Sequence, residues 1–269
     1  MSTMTVRGCE LAYDLIGDAG EDTTNIPFLW GHGLSSSRAH EDRRPLINLA
    51  QIAEYRPVVR YDARGHGKSG DAANPQQGDW AELALDQIDL MEKLGLDQVA
   101  LGGASMGTAT ALHAALRLGG RVRKLILVIP PTAWESRQAQ VELYEQMASI
   151  LEAKGAEPLI QGLRMMPPPD PFIGDDEWLS NRTEALRGAE AERLAAVFRS
   201  AAVADLPPPE EIKTIVAPTL ILAWTGDPGH PVSTAEQLKQ LLPNSELVFA
   251  STADELASWT DRCVTFLAL

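Results

Sequence analysis

A chain of 269 residues with 45% hydrophobic content suits one α/β domain carrying an insertion, and its formal charge of −14 argues against nucleic acid or anionic membrane surfaces as partners. Only Cys9 and Cys263 are present, near opposite ends of the chain, which is neither a disulfide framework nor a zinc pattern and favours a reducing, cytoplasmic setting. Met1 to Leu15 has no apolar core of the signal-peptide kind, and no apolar run reaches the ~18 residues of a membrane helix.

In chain order, Thr3 to Val6 and Glu10 to Ile16 predict a β-hairpin turned at Arg7-Gly8, and Pro27 to Trp30 a third strand running into Gly31-His32-Gly33. Helical character follows over Arg43 to Glu54, then a fourth strand over Pro57 to Tyr61 that ends at Asp62. Leu83, Ile88, Met91 and Leu94 recur near helical spacing within Asp79 to Leu94, with Asp79 as the cap. Gln98 to Leu101 is a short buried-strand pattern and Thr108 to Leu118 is rich in the strong helix formers Ala and Leu.

Between those two lies Gly103-Ala104-Ser105-Met106-Gly107. In a strand–turn–helix context, a G-x-S-x-G run has a mechanism: the flanking glycines relieve crowding at a tight turn, and the serine hydroxyl is pushed out above the sheet. Lys124 to Ile129 predicts the next strand. The alternation then stops. From Pro130 to about Glu211 only helical segments occur, over Glu135 to Lys154, Glu177 to Arg187 and Ala189 to Ala204, punctuated by Pro167 to Pro171 and Pro207 to Pro209. Strand and helix resume with Ala217 to Trp224, Ser233 to Leu242, Glu246 to Ala250 and a closing helix through Phe266. This pattern predicts a mostly parallel sheet covered by helices on both faces, with residues 1–130 and 212–269 forming the core and 131–211 an inserted helical cap without a core of its own.

Four motifs in this order give a resemblance to the α/β-hydrolase fold family over nearly the whole chain, most closely to small cofactor-free ester and lactone hydrolases of the 3-oxoadipate enol-lactonase type. They are Gly31-His32-Gly33-Leu34, Asp62-Ala63-Arg64-Gly65-His66-Gly67-Lys68-Ser69, the Ser105 turn, and Asp227-Pro228. The resemblance implies an eight-stranded sheet with an antiparallel second strand. It also implies Ser105 as nucleophile, Asp227 as the triad acid and the backbone N–H groups of Leu34 and Met106 as oxyanion donors. Rigid amides aimed at the oxygen that becomes negative suit acyl transfer, because they need no reorganisation. No metal or cofactor is implied. His32 and His66 are assigned to loop architecture and Arg64 to bracing; His113 is expected behind the Ser105 turn, and His40 at the surface.

The family places its histidine after the last strand, and here that loop is Ser251-Thr252-Ala253-Asp254-Glu255. Serine needs a base to remove its proton and an acid to orient that base. Three readings stay open. His230, in Asp227-Pro228-Gly229-His230-Pro231, supplies the imidazole from an unusual position; Asp254 or Glu255 acts instead; or the chain is a degenerate, non-catalytic small-molecule binder of this fold. A serine at the turn argues against the aspartate chemistries of dehalogenases and epoxide hydrolases, while cofactor-free haloperoxidases share it. Gly65 to Gly70 matches dinucleotide-loop spacing, but no helix pattern starts there.

Bulky residues of the inserted block, Trp134, Met165, Met166, Phe172 and Trp178, are candidate walls of a pocket over Ser105. The expected substrate is a small ester, thioester or lactone. The sequence identifies neither the acyl group nor the oligomeric state.

Overall fold

The computed structural model describes residues 2–17 and 26–269. Strands β1 (Ser2–Val6) and β2 (Cys9–Ile16) pair antiparallel through Arg7 and Gly8, whose φ angles of 46° and 77° give a two-residue turn matching the twist of the strands. With β3 (Phe28–Gly31), β4 (Val58–Tyr61), β5 (Val99–Ala104), β6 (Val122–Val128), β7 (Thr219–Trp224) and β8 (Ser245–Ala250) they form one eight-stranded sheet in the order β1-β2-β4-β3-β5-β6-β7-β8. Only β2 runs against its neighbours; every pairing from β4 to β8 is parallel.

Successive strand side chains point to opposite faces, so the sheet serves two cores. Leu29, Val59, Leu101, Leu125, Leu127 and Ile221 pack on α3 (Trp80–Lys93), α4 (Met106–Leu118) and α10 (Val232–Leu241). Phe28, Trp30, Val58, Ala100, Ile126, Val128 and Leu222 face α2 (Leu49–Ala53) and α12 (Trp259–Ala268). Burial on both sides is why these strands read as continuous apolar runs rather than alternating ones. Asp79 caps α3 as predicted, accepting from the Ala81 N–H.

Four expectations need correction. The helix over Arg43 to Glu54 is two short ones, α1 (Arg38–Arg43) and α2, because Pro45 disfavours helical geometry at Arg44, which sits at φ −150° and ψ 85°. The closing helix is likewise divided into α11 (Ala253–Ala257) and α12. Between β6 and β7 lie α5 (Arg137–Lys154), α6 (Glu157–Met165), α7 (Asp176–Gly188) and α8 (Ala191–Ala202), followed by the short α9 (Pro209–Ile212), so that α6 adds a helix to the three expected there. Finally, α5 to α8 close around a small core of their own, including Ala148, Leu151, Ile160, Leu186, Leu194 and Phe198, with Leu34 packed against both it and the α3/α4 core.

Among the described residues no helix is long and apolar enough to cross a membrane.

Candidate active site

Ser105 occupies the step from β5 into α4 at φ 52° and ψ −109°, a backbone conformation that costs a non-glycine residue about 1–3 kcal/mol and persists only where its surroundings enforce it. Here the Ser105 N–H donates to Val128 O at 2.9 Å, and Thr108 Oγ1 lies 2.9 Å from Gly103 O and 3.0 Å from Val128 O. The turn can be this tight because Gly103, Gly107 and Gly31 let three backbones meet. A Cβ added to Gly107 would stand 2.1 Å from Gly31 O, and one on Gly103 would stand 2.4 Å from Gly107 C.

The Gly31-His32-Gly33-Leu34 loop leaves β3 beside this turn, with the Cβ position of Gly33 only 3.6 Å from that of Ser105. His32 is a brace. Its Nδ1 is 2.8 Å from Gly33 O and its Nε2 accepts from the Ala63 N–H at 3.0 Å, which assigns the proton to Nδ1; burial holds the ring below its usual pKa, hence neutral. His66 bonds Arg64 O through Nδ1 and is pushed down to about 3 by burial, then by the nearby His32. Neither Leu34 nor Met106 donates its backbone N–H to an acceptor among the described residues. Both also line a cavity of about 270 Å³ closed by Ala196 and Val197 of α8.

The loop after β7 comes to Ser105 from the other side. His230 Nε2 lies 2.8 Å from Ser105 Oγ, and His230 Nδ1 lies 2.7 Å from Asp227 Oδ2. The same Oδ2 accepts from Trp224 Nε1 at 3.0 Å, and Oδ1 accepts from the Gly229 N–H at 2.9 Å. Asp227 and His230 are only three residues apart because Asp227-Pro228-Gly229-His230 is a turn, closed by His230 N–H to Asp227 O at 3.2 Å. The Gly229 carbonyl is held by the Thr132 N–H at 3.2 Å, just beyond β6. Burial alone would raise the Asp227 carboxyl. The charge and hydrogen bond of His230, the Gly229 N–H and the charge of Arg182 outweigh it and hold the carboxyl far below its ordinary range.

Residues 28–259 match the sequence profile of the Alpha/beta hydrolase family. The chain belongs to the alpha/beta hydrolase family. It is 28% identical over 248 residues to 3-oxoadipate enol-lactonase 2 of Acinetobacter baylyi, covering 91% of this chain and 86% of that one. Among solved structures it is similar to the enol-lactonase from Burkholderia xenovorans, at a TM-score of 0.83 with 22% identity over 100% of both chains. It is also similar to a thermophilic esterase from Thermogutta terrifontis, at 0.77 with 22% identity over 99% of this chain and 95% of the other. At that identity the two structures speak for the fold alone.

No histidine follows β8 in this chain. Ser251 to Glu255 are all exposed, and Glu255 is occupied as a helix cap: its carboxylate accepts from the Ser251 and Thr252 N–H groups, which hold it below its ordinary range. Neither Asp254 nor Glu255 is hydrogen-bonded to Ser105 among the described residues; the group that reaches its hydroxyl is His230. Met165 and Met166, expected as pocket walls, stand in solvent at 87% and 56% exposure, because α6 turns Leu159, Ile160 and Leu163 inward and ends at Met165. Trp134 is half-buried, its indole N–H on Pro207 O. Trp178 stacks on Phe172 with ring centroids 5.3 Å apart, and Phe172 meets Trp224 edge-on at 5.3 Å. His40 is not at the surface but half-buried under α7, where burial lowers its pKa. Arg64 is spent on Asp86 through two bonds of 2.9 Å, and His113 lies 3.0 Å from Asp205 O.

A cavity of about 910 Å³ lies at the opposite edge of the sheet, where Val122 and Pro218 lead into their strands. Arg56, Arg123 and Lys124 line it, the first and last bonded to carbonyls of α12, and none of Ser105, Asp227 or His230 does, so it is a different feature from the Ser105 site.

Sequence reading overlooked Trp224, Glu41 and Arg182, none of which carries a local signal. Glu41, on α1, accepts from Trp30 Nε1 at 3.1 and 3.2 Å, and burial pushes its carboxyl up from 4.5 to about 7. The folded protein then keeps a proton that the unfolded chain releases near 4.5, so stability falls as pH rises between those values, by about 3 kcal/mol in all. Glu41→Gln is expected to flatten that slope and to be the more stable protein at pH 8. Urea unfolding at pH 5 and pH 8 measures it; an undiminished slope in the variant contradicts this assignment.

Proposed function

We propose that this protein hydrolyses small esters, thioesters or lactones through an acyl-enzyme on Ser105, with His230 as base, Asp227 as its orienting acid and the Leu34 and Met106 amides as oxyanion donors. The observation that carries this is the unbroken chain Ser105 Oγ, His230 Nε2, His230 Nδ1, Asp227 Oδ2, with contacts of 2.8 Å and 2.7 Å at its two ends. An isolated serine in a strained turn has no use for such a relay, whereas nucleophilic attack requires one.

In this reading the Ser105 hydroxyl gives its proton to His230 Nε2 as Oγ bonds to the carbonyl carbon. The imidazolium is stabilised by Asp227, which stays ionised, and the carbonyl oxygen takes the negative charge facing the two amides. Collapse breaks the bond to the leaving oxygen or sulfur, which receives the proton from Nε2. Water then repeats the sequence: His230 takes its proton, its oxygen bonds to the acyl carbon, and Ser105 leaves with that proton restored. Each oxyanion amide contributes about 3–4 kcal/mol to such a step. Helices α5 to α8, within residues 131–211, act as the cap that keeps bulk water off the acyl-enzyme. The lactonase identity of the 28% relative supports the ester and lactone class.

A fluorophosphonate probe is the test. It is expected to label Ser105, with p-nitrophenyl acetate turned over, and Ser105→Ala is expected to abolish both. An unlabelled, inactive wild-type protein whose melting temperature still rises with a lactone would identify it as a binder of this fold instead.

A further inference from the structure

Trp224 closes β7 opposite Ala250 of β8 and is buried, at 6% exposure. Its ring is held on three sides. It stacks on Trp259 of α12 with centroids 6.4 Å apart, and it meets Phe172 and His230 edge-on at 5.3 and 5.9 Å. Phe172 comes from the inserted block, which is fastened to the strand end here: Asp170 Oδ2 accepts from Thr225 Oγ1 at 2.6 Å, and the Asp170 N–H donates to Thr225 O at 2.9 Å. An indole wedged in this way has its N–H fixed in direction, and it donates to Asp227 Oδ2 at 3.0 Å.

Among the described residues three donors meet the Asp227 carboxylate. Two of them, the Gly229 N–H at 2.9 Å and His230 Nδ1 at 2.7 Å, belong to the same turn as the acid. Such a turn ties its acid and base to each other but leaves the plane of the carboxylate weakly defined, because the aspartate χ2 torsion is broad and has no sharp rotamer. The Trp224 indole is the donor from outside the turn. It lands on Oδ2, the oxygen that also faces the imidazole. An indole N–H is a donor only: it cannot compete for the Nδ1 proton, and it favours the ionised carboxylate over the protonated one.

We propose that Trp224 is a positioning residue for the hydrolysis: its N–H sets the plane of the Asp227 carboxylate, and through it the tautomer and direction of His230. This rests on the hydrolase reading above and adds to it a group that acts through the acid. The indole gives the acid–base pair a fixed point in the sheet and its flanking helix, which two side chains on one turn cannot supply for themselves.

The test is Trp224→Phe, which keeps an aromatic ring and removes the donor. With p-nitrophenyl acetate, kcat is expected to fall roughly 10- to 100-fold, the worth of one hydrogen bond to a charged group, while KM stays within about two-fold. Replacing the Trp224 indole by benzothiophene exchanges N–H for sulfur at nearly the same volume. This isostere is expected to show the same loss with the packing kept, and it decides the matter where Trp224→Phe does not fold. The rate of Ser105 labelling by a fluorophosphonate then separates positioning from packing. In an Asp227→Ala background, removing the Trp224 N–H is expected to cost nothing further, since the carboxylate it orients is gone. An equal loss in both backgrounds, a wild-type kcat in the isostere, or a loss confined to KM overturns the proposal. Wild-type protein that neither turns over nor labels overturns the hydrolase reading and this inference with it, whereas an active wild type beside an equally active isostere removes this inference alone.

Discussion

His230→Ala is expected to lower kcat/KM for p-nitrophenyl acetate by about five to six orders of magnitude, because without an imidazole Ser105 stays a neutral alcohol and the leaving group has no proton donor. Asp227→Asn is expected to cost about four orders. An amide at that position can offer its NH2 to Nδ1, which moves the imidazole proton to Nε2, where it faces the hydroxyl it should be receiving from. Because the two residues act as one device, the double variant should be scarcely slower than His230→Ala alone. Their three-residue spacing makes this test sharper than usual: both sit on the turn that follows β7, at 2.7 Å from each other. A fall of only a few-fold in His230→Ala, beside full loss in Ser105→Ala, would remove the imidazole from the mechanism.

Gly107→Ala is expected to cost about 3 kcal/mol or more of stability and to abolish activity with it. The added methyl would stand 2.1 Å from Gly31 O, 2.6 Å from Gly31 C and 3.0 Å from His32 O, and all three are backbone atoms of a buried strand and its loop. No rotamer change relieves a backbone clash, so β3 and α4 must move apart beside Leu34 and Met106, the proposed oxyanion donors, which line one cavity. Urea unfolding gives the first number and esterase assay the second. At this chain length a loss of that size lowers Tm by about 6–12 °C. A variant with wild-type Tm would show that the turn has slack, and the proposed rigidity of the oxyanion donors would go with it.

What local sequence determines here is whatever depends on near neighbours. Strands such as Leu125 to Val128 and Leu220 to Leu222 are legible because burial on both faces demands uninterrupted apolar residues. The Ser105 turn is legible because its glycines answer a steric demand within five residues. Pro45 divides one helical stretch in two, and α6 is legible only faintly because it is nine residues long and contains Gly162, although Leu159, Ile160 and Leu163 share one face.

Other features depend on distances that no window of sequence contains. His230 and Ser105 are 125 positions apart, and their 2.8 Å contact exists because β5 and β7 flank β6 in one parallel sheet and end on the same edge. The motif spacing could name both residues but could not bring an imidazole from the β7 loop onto a hydroxyl at the end of β5. The reach of His230 is set by the Asp227–His230 turn and by Thr132 holding Gly229. The stacked series of Trp178, Phe172 and Trp224 is the extreme case, because side-chain stacking is decided by the assembled helices and sheet and not by the order of residues along the chain.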